Sequence, residues 1–230
     1  MARLASRIFM FFTLSPFILL AFNLIVSVCL IMLDVVIAPC ISIATINCNS
    51  LNVSDLGSMH HLIKLYGIAK LKTDIIFLSD VRLCNARGVS NSLNISNTFR
   101  TNPYSSYECH FNSNSNKRGV GILIKNNSNI SILQELRGAE DNSLLLKASY
   151  KGSVFILASI YGPNAHCPAF FTNLQNDLAA LGDHPVIMGG DWNCTVSSLP
   201  PHNNLDVINM NAIPNKRHSE YLLNLHAGVA

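Results

Sequence analysis

The sequence predicts an α/β fold of two packed sheets, and three observations predict it. Short apolar runs of strand length, rich in β-branched residues, recur after residue 40. Two stretches between them carry apolar residues at helical spacing. Lys151-Gly152, between two of the runs, reads as a tight hairpin turn, which makes those strands antiparallel and the sheets mixed. Strands buried on both faces, helices outside and hairpins within fit an α/β sandwich better than a purely parallel doubly wound sheet.

In chain order, the first element is an uncharged apolar run from Ile8 to Leu33. At 1.5 Å per residue a helix of this length crosses the ~30 Å hydrocarbon core of a bilayer. Arg3 and Arg7 precede it and Asp34 follows, so the positive-inside bias would keep the N-terminus cytoplasmic and put the rest of the chain across the membrane. A cleaved signal peptide is a second reading, for which VVIAPC is a poor cleavage site. A third is read-through of sequence upstream of the true domain, since the composition changes abruptly near residue 40. The chain thus divides into a hydrophobic N-terminal segment, 1–40, and a folded domain, 41–230. It sits at a membrane if the segment is a genuine anchor, and inside the cell otherwise. Outside the cell, Asn52, Asn94, Asn126, Asn129 and Asn193 would be glycosylation acceptors, but such sequons arise by chance in an Asn-rich chain.

The strand-like runs are ISIATIN (41–47), DIIFLSD (74–80), GVGILIK (119–125), SLLLKASY (143–150), SVFILASIYG (153–162) and PVIMGGD (185–191), six as a minimum. Helical spacing spans Asp55 to Leu71, through Leu56, Met59, Ile63 and Ile68, and again Pro168 to Leu181, which opens on proline. From Asn85 to Asn116 periodicity is weak, and the stretch reads as a loop over the substrate with one short strand within Phe99–His110.

A length of 230 residues suits one domain with a core. A net charge of +3 tolerates a polyanionic substrate but excludes the strongly basic balance of a dedicated nucleic-acid binder. None of the seven cysteines forms a C-x-x-C pair, so spacing indicates neither a zinc site nor a disulfide framework, and the thiols are expected to be reduced.

Chemistry is expected where strands end. Asn47 follows ISIATI, Asp80 follows IIFLS, and Asp191 with Asn193 follows VIMGG. Two carboxylates and two amide oxygens are hard donors suited to Mg²⁺, with Mn²⁺ as the alternative. Each residue alone is more often a turn-former, because its side chain bonds local backbone. Their combination carries the signal.

In order along the chain, a first strand ending in Asn47, DIIFLSDVRL (74–83), RGVGILIK (118–125), SIYGPN (159–164) and IMGGDWN (187–193) resemble the endonuclease/exonuclease/phosphatase superfamily, and within it the apurinic-like endonuclease domains of non-long-terminal-repeat retrotransposons. The similar stretches span roughly residues 41–227. The resemblance implies a DNase I-like sandwich, incomplete at the C-terminus, that hydrolyses phosphodiesters with Mg²⁺ and nicks DNA. It implies Asn47 and Asp80 as metal residues, Tyr161 and Asn164 as contacts to the scissile phosphate, Asp191 as positioner of the attacking water and Asn193 as stabiliser of developing charge.

The chain departs from this pattern in three places. Ser79-Asp80-Val81 stands where the family has Gln-Glu-Thr, which draws the carboxylate back by one methylene. Ser198-Leu199-Pro200-Pro201-His202 replaces a Leu-Asp-Arg block, and no Ser-Asp-His block supplies a general base. His184, His202, His218 and His226 match no catalytic position and read as surface histidines. Weak or absent activity is therefore expected, as is a sheet with an unpaired edge. DNA is the expected ancestral substrate, a membrane contact through 8–33 is the second partner considered, and no protein partner is indicated. The alternatives are a lipid or other phosphoesterase of the same superfamily, and a non-catalytic membrane-anchored remnant.

Overall fold

The computed structural model describes residues 9–12, 40–52, 59–85, 88–165 and 167–193. Among these residues nine strands run in chain order: β1 (Phe9–Phe12), β2 (Ile43–Asn47), β3 (Ile75–Ser79), β4 (Tyr107–Asn112), β5 (Val120–Lys125), β6 (Ile130–Arg137), β7 (Ser143–Tyr150), β8 (Ser153–Tyr161) and β9 (Val186–Asp191). Three α-helices accompany them: α1 (Met59–Ala69), α2 (Ser92–Arg100) and α3 (Pro168–Leu181). The strands form a five-stranded sheet of order β1-β9-β8-β7-β6 and a four-stranded sheet of order β2-β3-β5-β4. Both are mixed. Strand β2 is parallel to β3, and β9 is parallel to β8 and to β1, while the remaining pairs are antiparallel.

The sheets meet face to face because their inner faces are apolar at alternate positions. Ile75, Phe77, Val120, Ile122 and Ile124 from one sheet pack on Leu144, Leu146, Ala148, Phe155 and Leu157 from the other, all buried. A polar link crosses this layer. The Ser159 hydroxyl, wholly buried, donates to the Leu78 carbonyl at 3.0 Å, so its desolvation is offset by a hydrogen bond. On the outer faces, Leu65, Ile68, Ile95 and Phe99 from α1 and α2 cover the four-stranded sheet, and Phe170, Phe171, Leu174, Leu178 and Leu181 from α3 cover the five-stranded one.

The expected strand and helix runs agree with these bounds to within a few residues, and 143–150 and 168–181 match throughout. The hairpin at Lys151-Gly152 forms as expected: Tyr150 pairs with Ser153 while Lys151 (φ 50°) and Gly152 (φ 82°) take the two left-handed positions of a two-residue turn. Three elements differ from the expectation. Residues 92–100 are helical, because Ile95 and Phe99, four apart, bury one face against the four-stranded sheet in a sequence otherwise too polar to show a period. Residues 130–137 add an edge strand beyond the six expected runs, its side chains mostly exposed. At the N-terminus, Phe9–Phe12 lie parallel along β9, Phe9 opposite Ile187 and Phe12 opposite Gly190, so these four residues of the apolar run are strand and not membrane-crossing helix. The remainder of that run, Ile8 and 13–33, lies outside the described residues. Among the described residues no helix is long and apolar enough to cross a membrane. Strand β9 is flanked by β8 and β1, and the five-stranded sheet has β1 and β6 at its edges. No disulfide links Cys48, Cys84, Cys109 or Cys167.

Candidate functional site

Two of the parallel strand pairs, β2/β3 and β8/β9, end side by side. Asn47 is in register with Ser79 and Tyr161 with Asp191, so the residues leaving β2, β3, β8 and β9 emerge at a common end of the sandwich. There the sheets are joined by side chains: Asn47 Nδ2 donates to Asp191 Oδ2 at 2.7 Å. Asn47 Oδ1 accepts from the Asn49 N–H at 3.0 Å, which holds the amide in that orientation. Asp191 Oδ1 accepts from the Asn193 N–H at 2.9 Å, and Asn193 Nδ2 donates to the Gly162 carbonyl at 2.6 Å. Asn193 is thereby tied to the strand that bears Tyr161. Asn47, Tyr161, Asp191 and Asn193 form one connected cluster.

The glycines before Asp191 make this approach possible. A side chain at Gly189 would run into the ring of Phe77 on the opposing sheet, and one at Gly190 (φ 142°) would run into the Ile160 carbonyl of the adjacent strand. Only residues without Cβ let β9 pass so close to both neighbours.

Behind Asn47 the chain turns through Asn49 (φ 42°) and Ser50 (φ 71°), and Lys64 of α1 holds the turn. Its Nζ donates to the carbonyls of Cys48 at 2.8 Å, Asn49 at 3.3 Å and Ser50 at 2.9 Å. We expect Lys64→Met to lose about 1–2 kcal/mol of stability, since three carbonyls lose a charged donor while the stem's packing is kept. A urea titration reads this directly, and an unchanged midpoint would show the clamp to be idle. Burial pushes the Cys48 thiol up to about 12, with the Lys64 charge opposing, so Cys48 is not a nucleophile at neutral pH.

Asp80 follows β3, and its surroundings differ from those expected of a ligand open to a cation. Arg82 Nε donates to Asp80 Oδ1 and Arg82 NH2 to Asp80 Oδ2, each at 2.7 Å. The carboxylate side chain is 6% exposed and the guanidinium 36%, so the arginine lies between Asp80 and solvent. The hydrogen bond to Asp80 pushes the Arg82 pKa further up and keeps it charged. Burial, then the charge of Asp80, pushes Tyr161 above its ordinary value, so its hydroxyl stays protonated and able to donate at neutral pH. Asp80 and Arg82 therefore belong to the same site as Tyr161, Asp191 and Asn193, which all act on the Tyr161 hydroxyl. Sequence reading missed Arg82 and Lys64. The signal for Arg82 was its spacing: an arginine two residues from an aspartate at a strand end can fold back upon it.

Asn164 is exposed, three residues past Tyr161, and enters none of these hydrogen bonds. His184 stands beside Gly182, away from the cluster, and His202, His218, His226 and the 198–202 loop lie outside the described residues. His110 is bonded to Glu135 at 2.8 Å on the sheet surface. Among the described residues no histidine bonds to Asn47, Asp80, Tyr161 or Asp191.

The donor set fits a hard divalent cation in kind: two carboxylates acting on one tyrosine, with amide oxygens beside them. Among the described residues no three acidic, His or Cys side chains lie together, so such an ion would need water or phosphate oxygens to complete its shell. The cluster lies on an open face. A cavity of about 280 Å³ is lined by Asn102, Tyr104, Ser105, Ser106, Lys125 and Asn127 and includes none of the site residues.

No family model matches the chain. Among solved structures, an endonuclease/exonuclease/phosphatase family protein from Leptotrichia buccalis superposes with a TM-score of 0.55 at 14% identity, covering 81% of this chain and 74% of that one. An AP endonuclease from Archaeoglobus fulgidus gives 0.52 at 17% identity, covering 81% and 71%. The endonuclease domain of TRAS1, a telomere-specific non-LTR retrotransposon, gives 0.51 at 9% identity, covering 80% and 68%. The chain spans 49% of the first solved structure it matches and 74% of the second. Likeness at these identities is likeness of architecture, and the architecture is the two-sheet α/β sandwich of the endonuclease/exonuclease/phosphatase structures.

Proposed function

We propose that residues 41–230 bind and slowly hydrolyse a DNA phosphodiester at the shared strand ends, with Mg²⁺ ahead of Mn²⁺ as the metal. The observation that carries this reading is the 2.7 Å bond between Asn47 and Asp191, which joins the two sheets where their parallel strands end. A phosphate docked on this face meets two carboxylates, a protonated tyrosine and two amides. Such a set can hold a cation, orient water and donate to phosphate oxygens. The fold's neighbours include an AP endonuclease and a retrotransposon endonuclease domain, which favours DNA over lipid as substrate.

In this reading Asn47 and Asp80 would hold the metal, Asp80 by sharing oxygens that Arg82 occupies, and the metal would supply charge to neutralise the leaving oxygen. Asp191 accepts a hydrogen bond from the attacking water through a lone pair left over from Asn47 and Asn193. Tyr161 and Asn164 steady the scissile phosphate, and the Asn193 amide donates to oxygens that gain charge. Water attacks phosphorus in line, one P–O bond breaks, and the proton leaves to solvent, since among the described residues no histidine is bonded to the cluster to receive it. A general base contributes about 10²- to 10⁴-fold, so slow turnover is expected.

Supercoiled-plasmid nicking tests the proposal. We expect weak nicking with Mg²⁺, none in EDTA and none from Asp191→Ala. Release of phosphocholine or inositol phosphate from lipid vesicles, with plasmid left intact, would refute the DNA reading in favour of a lipid phosphodiesterase. Silence on both substrates, with Mg²⁺ or Mn²⁺, would leave only a non-catalytic remnant.

A further inference from the structure

We propose that Arg82 is the phosphate-binding cation of this site and captures a DNA phosphodiester without any divalent metal. The inference rests on the reading that this face receives a phosphodiester, and it goes further by assigning the charge that receives it.

Asp80 holds the guanidinium by a two-point fork, through Nε and NH2, both at 2.7 Å. This uses two of the five N–H donors of an arginine. One of the remaining donors engages Tyr161, and the Arg82 side chain is 36% exposed against 6% for Asp80, which leaves donors within reach of a ligand from solvent. A ligand arriving from solvent meets the cation before the carboxylate behind it. A planar fork fixed at one edge presents the other in the geometry that non-bridging phosphate oxygens accept.

The backbone supports the assignment independently. Asp80 (φ 55°) and Arg82 (φ 45°) both adopt the left-handed conformation, which costs non-glycine residues free energy and persists only where surroundings enforce it. Four main-chain hydrogen bonds enforce it here: Ser50 N to Asp80 O at 2.8 Å, Leu51 N to Val81 O at 2.7 Å, Val81 N to Gly119 O at 3.0 Å and Arg82 N to Arg118 O at 2.9 Å. Between them Val81 is wholly buried and anchors the turn in the core. The strand end is thus built to bring the two charges into contact.

Asp80 accordingly serves as a positioning residue for Arg82, and a divalent cation must compete with the guanidinium for its oxygens. Binding and metal dependence separate as a result. The phosphodiester is held by a charge carried on the chain, and the metal matters for hydrolysis.

The test is fluorescence anisotropy of a labelled duplex oligonucleotide with the full chain in EDTA, repeated over a salt series. We expect wild type to bind in EDTA. Arg82→Met should weaken binding by roughly tenfold or more and lower the slope of log K against log salt by about one. Arg82→Lys should restore the slope while recovering only part of the affinity, because it returns the charge without the fork. Asp80→Asn should weaken binding less than Arg82→Met, since the cation remains but loses its seat. Equal affinity of wild type and Arg82→Met in EDTA would overturn the inference, as would wild-type binding that appears only with Mg²⁺. Either result leaves the proposed hydrolysis standing. Absence of DNA binding with and without Mg²⁺ removes both. Should Arg82→Met fail to fold by circular dichroism, the Arg82→Lys salt slope and affinity decide the matter.

Discussion

Phe77→Ala should destabilise the chain by about 3–5 kcal/mol, the range for emptying a large aromatic site in a close-packed core. Phe77 is wholly buried in the layer between the sheets, and its ring fills the space above Gly189 on the opposing strand. Gly189→Ala should also cost about 1–3 kcal/mol, because its new methyl group would press into that ring. The informative measurement is the double variant. Removing the ring makes room for the methyl, so its loss should fall short of the summed single losses by more than the ~0.5 kcal/mol within which independent sites add. Urea melts of the four proteins close the cycle, and strict additivity would contradict the packing described. The effect reaches the site because Gly189 lies two residues before Asp191 on β9. Sheets that separate at Phe77 carry Asp191 away from Asn47.

The second large effect concerns Asp191. Both of its oxygens accept hydrogen bonds, Oδ2 from the Asn47 amide and Oδ1 from the Asn193 N–H. Asp191→Asn keeps the shape but turns one acceptor into a donor, so one of the two contacts must break. It also removes the charge that orients a water for attack. We expect plasmid nicking to fall about 100- to 1,000-fold, the size seen when one preorganised polar group is taken from a reacting centre. Stability should change by only about 1 kcal/mol, a single hydrogen bond. Nicking by the variant at the wild-type rate, measured on protein shown to be folded, would remove Asp191 from the reaction. An isosteric change therefore separates chemistry from packing better than alanine does.

Arg82 complicates the role read for Asp80 from the sequence. A Ser79-Asp80-Val81 block suggested a metal ligand drawn back by one methylene. In the fold both carboxylate oxygens are occupied by the guanidinium two residues on, and both residues sit in left-handed backbone. A strand followed by Asp-Val-Arg predicts neither the reversal nor the pairing. They arise from Val81, buried and bonded to Gly119, which forces the chain to turn.

The two-sheet architecture was legible in the chain by itself, because binary pattern and period are local properties. Apolar runs such as 143–150, the Lys151-Gly152 turn and the amphipathic 168–181 specify their own conformations wherever a partner surface exists. The strand ends bearing Asn47, Asp80, Tyr161 and Asp191 were visible for the same reason. Tertiary structure alone decided the rest. Residues 92–100 became helix once Ile95 and Phe99 found a sheet to cover. Phe9–Phe12 became strand where β9 offered an unpaired edge. Asn47 met Asp191 across 144 positions of chain because the two sheets pack with their parallel ends together. Such contacts depend on how apolar faces from distant segments exclude water from one another, and no local stretch of sequence encodes that.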